Sequence, residues 1–276
     1  MLDDALGFLA CPHCGATLTR EAGAVRCATA GHSFDVARQG YLGLLPGDAQ
    51  HGTADSAAMV AAREAFLGAG HFDPLAEALA TAAAEAPDGV VVDVGAGTGW
   101  YLARVLDRLP GRTGIALDLS KHALRRAARA HERMAAVAAD AWRPLPLREG
   151  VAGLVQNVFA PRDAAEMARV LRPGGALVVV TPTVRHLERL VDLLGLVQVD
   201  DRKRRRLSEQ LEPHLQPETV TELEWPLALD RAGVRNVAGM GPSARHLDRA
   251  ALERTLAGFD EPVGATASIE LSVYRR

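Results

Sequence analysis

Lysine is nearly missing from this sequence: Lys121 and Lys203 are two of its 31 basic residues. The excess of arginine, together with abundant alanine, reads first as the mark of a GC-rich genome. Its second reading is phosphate recognition, which arginine's planar fork does well. Aromatic residues are scarce at 4%, so aliphatic side chains must fill the core. No apolar run reaches the ~18 residues of a membrane span, which excludes a membrane partner on this pattern. The N-terminus is acidic (Asp3, Asp4) and lacks the pattern of a secretion signal, so the chain reads as cytoplasmic. The formal charge of -3 excludes a strongly basic coat for DNA, though local basic patches remain open. Cysteine is absent after residue 27, and three cysteines at tight spacing argue against a disulfide framework.

What is present divides the chain in three. Residues 1–40 are short, polar and cysteine-bearing. Residues 41–88 begin as a linker with Gly43, Pro46, Gly47, Gly52 and Ser56. They continue as two alanine-rich helices broken at Gly68-Ala-Gly70. From residue 89 to 276 strands alternate with helices. Strands are expected at 90–94, 113–119, 135–139, 153–159 and 176–181, with further ones near 219–229 and 266–274. Helices are expected at 98–109, 121–133, 163–171, 186–195, 201–211 and 248–257. Such alternation implies βαβ units and a Rossmann-like α/β domain of seven strands.

Two motifs carry chemistry. The first is Cys11-Pro-His-Cys14, followed by Cys27 and His32, a C-x2-C-x12-C-x4-H string. Zinc takes four such ligands in a tetrahedron, and a closed Cys3His set is a structural site. A module of this length cannot bury enough core by itself, and a metal repairs that deficit. His13 is a rival ligand inside the first knuckle.

The second motif is Asp93-Val-Gly95-Ala-Gly97-Thr98-Gly99 at the end of the first α/β strand. A dinucleotide fingerprint would want glycine at position 100, where Trp100 stands. D-x-G-x-G-x-G is instead a methyltransferase loop, open to the methionine part of S-adenosylmethionine. Asp118 ends the next strand and suits the ribose hydroxyls; Asp140 ends the third and suits the adenine amino group. The fourth strand ends Gln156-Asn157-Val-Phe159-Ala-Pro161-Arg162. There Asn157 is expected to orient a planar base and Phe159 to stack on it. Arg125, Arg129 and Arg133 recur at helical spacing, and Arg202-Lys-Arg-Arg-Arg206 is a basic run. Both are solvated faces or phosphate contacts.

Further motifs occur in order: His32-Ser-Phe-Asp-Val-Ala-Arg-Gln-Gly-Tyr41, Asp55-Ser-x-x-Met59-Val-x-Ala-Arg63, Gly70-His-Phe72, Thr181-Pro with His186-Leu, and Met240-Gly-Pro-Ser. With the zinc string and the glycine loop, they make the whole chain resemble the RlmA family of 23S ribosomal RNA guanine-N1 methyltransferases. The resemblance is closest to the branch that includes the tylosin-resistance enzyme. It implies zinc on Cys11, Cys14, Cys27 and His32, and cofactor contacts at Phe72, Thr98, Gly99 and His186. It also implies a homodimer forming an RNA cleft, and methylation of guanine 748 rather than guanine 745 of a 23S rRNA hairpin, with macrolide resistance (tylosin, mycinamycin) as a possible purpose. Two rival readings are a small-molecule methyltransferase and a protein that senses S-adenosylmethionine without methylating.

Overall fold

The computed structural model describes residues 1–21, 23–47, 54–198, 200, 203–246, 248–258 and 262–276. Gly52 and Arg202 lie outside the described residues.

The chain opens with a short helix, α1 (Leu2–Leu6), and three short strands, β1 (Leu18–Glu21), β2 (Ala24–Cys27) and β3 (Ser33–Phe34). The strands form an antiparallel sheet in the order β1-β2-β3. Backbone bonds tie this module to the rest of the chain, among them Ala10 N–H to the Pro146 carbonyl at 3.0 Å, Arg148 N–H to the Phe8 carbonyl at 2.9 Å and Gly43 N–H to the Asp35 carbonyl at 3.1 Å. Its apolar residues Leu6, Leu9, Leu18, Val25 and Phe34 share one buried cluster with Leu42, Val137, Leu145 and Leu147. The module is therefore docked on the larger domain's core.

The stretch read as a linker holds a strand. β4 (Leu42–Gly43) pairs in parallel with β7 (Met134–Ala138), Leu42 facing Val137 and Gly43 facing Ala138. Its apolar flanks explain the pairing: Leu42 and Leu44 are both buried. Two helices follow, α2 (Ala57–Gly68) and α3 (Asp73–Ala84), broken where expected. Ser56 caps α2, accepting the Met59 N–H at 3.3 Å.

The large sheet has the order β10-β11-β9-β8-β5-β6-β7-β4. Its strands are β5 (Val90–Val94), β6 (Gly114–Asp118), β7, β8 (Ala152–Val158), β9 (Leu171–Pro182), β10 (Gln216–Leu229) and β11 (Val263–Arg275), with β4 added at one edge. β4 to β9 pair in parallel, while β11 is antiparallel to both β9 and β10. Every residue of β5, β7 and β8 is buried, as in a parallel sheet covered on both faces. The covering helices include α4 (Trp100–Arg108), α5 (Lys121–Ala130) and α6 (Ala164–Val170). After β9 come α7 (Glu188–Leu194) and α8 (Lys203–Leu211), and α10 (Arg249–Ala257) precedes β11.

One further helix, α9 (Arg231–Met240), escaped the sequence reading. Asp230 caps it by accepting the Gly233 N–H, and Val234, Val237 and Ala238 bury its inner face. It packs closely on α2: a Cβ on Gly239 would stand 3.4 Å from that of Ala62. A second departure concerns Arg133. α5 stops at Ala130, so Arg133 leaves the face shared by Arg125 and Arg129. Its guanidinium instead donates to the carbonyls of Leu106, Leu109 and Arg112, a structural clasp.

Candidate functional site

The four zinc-motif side chains converge. One ligand atom from each of Cys11, Cys14, Cys27 and His32 lies within 4.8 Å of all the others. Cys11 Sγ stands 3.4 Å from His32 Nδ1, and Cys14 Sγ stands 3.4 Å from Cys27 Sγ. Zinc bonds of about 2.0–2.3 Å in a tetrahedron demand ligand separations of roughly 3.3–3.8 Å. These two pairs meet that range, and Cys14 Sγ to His32 Nδ1, at 3.9 Å, lies just outside it. The Cys3His donor set thus suits the ion with a small closure of the cluster. The amide hydrogens of Ala30 and Thr29 lower the Cys27 thiol to about 6, which favours the thiolate that zinc needs. His13 is not part of the converging set: its ring stacks on Phe34 at 6.0 Å and tilts against His32 at 4.8 Å.

The second site lies at the carboxyl edge of the large sheet. β5 sits between β6 and β8, and the chain crosses from one side to the other there. That reversal opens a crevice beyond the strand ends, the usual ligand position in open α/β sheets. The glycine loop runs from β5 into α4. Gly95, Gly97 and Gly99 all have positive φ. At Gly95 a Cβ would collide with Ala160 Cβ at 2.4 Å, and at Gly99 with Met134 Sδ at 2.8 Å. Those two glycines let the loop pack tightly against its neighbours. Gly97 faces the Arg63 guanidinium instead, with Nη1 at 3.4 Å from the Cβ position. Thr98, between them, is buried.

Asp118 stands at the end of β6. One carboxylate oxygen accepts the Gly97 N–H at 2.8 Å and the other the Ser120 N–H at 2.7 Å. It thus braces the glycine loop, and each oxygen keeps a lone pair for a ribose hydroxyl. Burial raises its carboxyl above the ordinary value; the Ser120 and Gly97 amides oppose that shift and the charge of Asp55 adds to it. Asp140, just past β7, accepts the Trp142 N–H at 3.0 Å and lies 3.8 Å from Arg143. This donor set, an acid at each of two adjacent strand ends beside an open glycine loop, fits S-adenosylmethionine.

Asp93 behaves differently from the other acids. It is buried on β5 opposite Gln156 of β8, whose Nε2 donates to Asp93 Oδ2 at 2.7 Å. Burial pushes its carboxyl up to about 7, the Gln156 bond opposing and Asp118 adding to the shift. Asp93 Oδ1 and Gln156 Oε1 both lack partners among the described residues. Asp93 thus turns into the sheet toward β8, and Asp118 rather than Asp93 bonds the loop.

Asn157 is likewise withdrawn. It is fully buried, and its Nδ2 donates to the carbonyls of Val94 and Pro161 at 3.0 and 2.9 Å. Its Oδ1 accepts from Arg162 Nε at 3.0 Å. With the amide so engaged, Asn157 shapes the loop after β8 and holds it to β5. Phe159, two residues on, is presented outward by a left-handed backbone (φ 53°) and is 40% exposed. Its ring lies 5.7 Å from His186 and 6.3 Å from Phe72, and Phe72 lies 6.0 Å from His186. These three residues, from distant stretches of sequence, form one aromatic corner. His186 is anchored by Nδ1, 3.0 Å from the Ser268 carbonyl oxygen. Trp225 closes the corner, 5.5 Å from Phe72, with its indole N–H donated to the His71 carbonyl at 2.9 Å.

Trp225, Ser268 and the Asp55–Arg63 ion pair were not singled out for the site from sequence. Asp55 and Arg63 stand in one of the ordered motifs, which was their available signal. Trp225 and Ser268 sit on β10 and β11 with no motif around them. Of the basic run, the described guanidinium of Arg206 pairs with Asp200 at 2.8 Å and Arg205 with Glu209 at 3.5 Å. Among the described residues, no helix is long and apolar enough to cross a membrane.

Comparison with known proteins finds a match for each part of the chain. Residues 9–52 match the family model for the RlmA N-terminal zinc ribbon, and residues 91–175 match a methyltransferase domain model. A Streptomyces fradiae protein named 23S rRNA (guanine(748)-N(1))-methyltransferase is 47% identical, over 100% of this chain and 99% of its own length. A Micromonospora griseorubida protein, described as a candidate 23S rRNA (guanine-N(1)-)-methyltransferase, is 50% identical over 100% of this chain and 99% of its own. Among solved structures, the YcgJ protein of Bacillus subtilis aligns with a TM-score of 0.52 at 16% identity, covering 73% of this chain and 97% of its own, a likeness of fold. The chain belongs to the RlmA family of 23S rRNA (guanine-N1)-methyltransferases, with a zinc ribbon joined to a Rossmann-like methyltransferase domain.

Proposed function

We propose that this protein transfers a methyl group from S-adenosylmethionine to N1 of guanine 748 in a 23S rRNA hairpin. The observation that carries the reading is the full-length match to the Streptomyces fradiae protein, which runs through both the zinc ribbon and the catalytic sheet. The cofactor supplies a methyl group already activated on its sulfonium, so the protein's task is to position guanine N1, whose proton passes to water as the new bond forms. Asp118 and Asp140 hold the ribose and adenine ends, and Thr98 and Gly99 border the methionine end. Phe72 and His186 wall the space beside it, and Phe159 stacks on the incoming base. Asn157 acts through Phe159, by fixing the loop that presents it. A guanine in a folded hairpin must leave its stack to reach this corner. The zinc ribbon, docked on the same core, grips the RNA by shape and phosphates. We further propose that the enzyme works in the cytoplasm as a homodimer, and that macrolide resistance is its purpose.

The test is transfer of a labelled methyl group to a 23S hairpin transcript, followed by primer extension. The expected result is a stop at guanine 748 that depends on the cofactor. Labelling at another nucleotide would reject the site assignment. Cofactor binding without labelling of the transcript would favour a sensor or a small-molecule enzyme.

A further inference from the structure

Arg63 has a place in the cofactor crevice that the motif around it does not explain. It projects from α2, and its side chain is one-quarter exposed. Its guanidinium pairs with Asp55, donates to the Met240 carbonyl at 2.8 Å and lies over Gly97 of the glycine loop. Asp55 is held in turn, its carbonyl accepting the Ser120 hydroxyl at 2.7 Å. Guanidinium carries five N–H donors in a rigid fork. Asp55 and Met240 engage two of them. So a fixed cation with donors to spare is clamped from two sides beside the loop that borders the cofactor's amino-acid end.

The charges around it show what such a cation is for. The loop is otherwise flanked by the acids Asp55 and Asp118, with Asp140 farther along the edge. These suit the ammonium, sulfonium and hydroxyl groups of S-adenosylmethionine. They repel its one anion, the α-carboxylate, which needs an opposite charge to enter. We infer that Arg63 is the carboxylate-binding residue of this site, oriented for that task by Asp55 and the Met240 carbonyl. Two further roles follow. The α2–α9 pair becomes part of the cofactor site, since Arg63 and Met240 belong to those two helices. Decarboxylated S-adenosylmethionine becomes a poor ligand.

The inference rests on the methyltransferase reading, and calorimetry separates the two. Wild-type protein is titrated with S-adenosylmethionine and with its decarboxylated analogue, alongside Arg63→Met and Arg63→Lys. The expected wild-type preference for the carboxylate-bearing compound is at least tenfold. Arg63→Met should erase most of that preference, weakening the parent compound while leaving the analogue nearly unchanged. Arg63→Lys should keep part of it, having charge without the fork. Equal wild-type affinity for the two compounds would overturn the assignment, and needs no variant to fold. So would an Arg63→Met protein that loses the same factor for both, which would mark Arg63 as a brace between helices. Wild-type protein that binds neither compound would overturn the methyltransferase reading and this assignment with it.

Discussion

The two sheets of this protein solve the same problem by opposite means. In the large sheet, β5, β7 and β8 are buried along their whole length, and two apolar clusters pack on its faces. In the zinc ribbon, β1 buries one residue of four, Leu18. Its shape depends on four side chains gathered at one point. Burial of aliphatic surface makes the large sheet self-sufficient and lets it carry uncomfortable groups, such as the buried Asp93. The ribbon borrows its apolar burial from the large domain through Leu9, Leu18 and Val25, and its polar turns become ordered where a metal ties them. The candidate site follows this division: the rigid sheet edge carries the strand-end acids and the glycine loop, and the metal-tied ribbon is docked on the same domain.

The largest effect should come from breaking the ribbon. Cys14→Ser removes one of four ligands, and zinc should leave. Hydrogen exchange is then expected to rise across residues 1–40 while β5 to β9 stay protected. RNA methylation should be lost, and cofactor binding retained. The shared cluster of Leu9, Leu18 and Leu147 offers the counter-test. If the large sheet loosens in step with the ribbon, the two regions fold as one unit and the contrast fails.

The next effect sharpens the contrast from the other side, through Asp93. Its carboxyl is raised to about 7 in the folded chain from an ordinary 3.8, so the fold holds a proton that the unfolded chain releases. Stability from this group is therefore fully present below the unfolded value and is lost as pH rises through the folded one. The groups bearing on it are Gln156 and Asp118, with Tyr101 near enough to feel its charge. Asp93→Asn keeps the bond from Gln156 and returns one to its unpartnered oxygen. In urea unfolding, the variant should gain on wild type between pH 5.5 and about 7, by roughly 2 kcal/mol, and level off above. Parallel profiles would mean that Asp93 is paired as an ion.

How much of this was legible in sequence follows the same division. The buried parallel strands declared themselves as β-branched runs, as in Val90-Val91-Val92, and the ribbon by its ligand spacing. β4 was read as linker because Gly43, Pro46 and Gly47 dominate the local pattern, and two leucines are too few to show a period. α9 was missed although Val234, Val237 and Ala238 have helical spacing, since the segment is short and holds two glycines, Gly233 and Gly239, which disfavour helix. Gly239 lies against Ala62 of α2, a tertiary contact that one segment of sequence does not display. In the site, strand-end acids were visible as a set, but their orientation was not. Asp118 faces the loop while Asp93 points into the sheet and Asn157 is consumed by its neighbours. Residue type and position at a strand end name candidates; which side of the pleat meets the crevice depends on register with the next strand.

The smallest effect separates the corner's two jobs, and it turns on Phe159. The chain spends a left-handed backbone there, unusual for a bulky residue, and leaves the ring 40% exposed. An aromatic ring so placed gains little from the core, since Val158 beside it is already buried. Its exposed face suits a flat partner, and stacking on an aromatic contributes about 1–3 kcal/mol per base. Phe159→Ala should therefore lower single-turnover methylation of the hairpin by roughly tenfold to a hundredfold, with cofactor affinity nearly unchanged. Phe159→Tyr should restore most of the rate, because the ring face returns. Phe159→Leu should not, since it restores apolar bulk alone. If instead cofactor affinity falls together with the rate, Phe159 belongs with Phe72 and His186 as a wall of the cofactor space. The base would then be received elsewhere along the edge of the sheet.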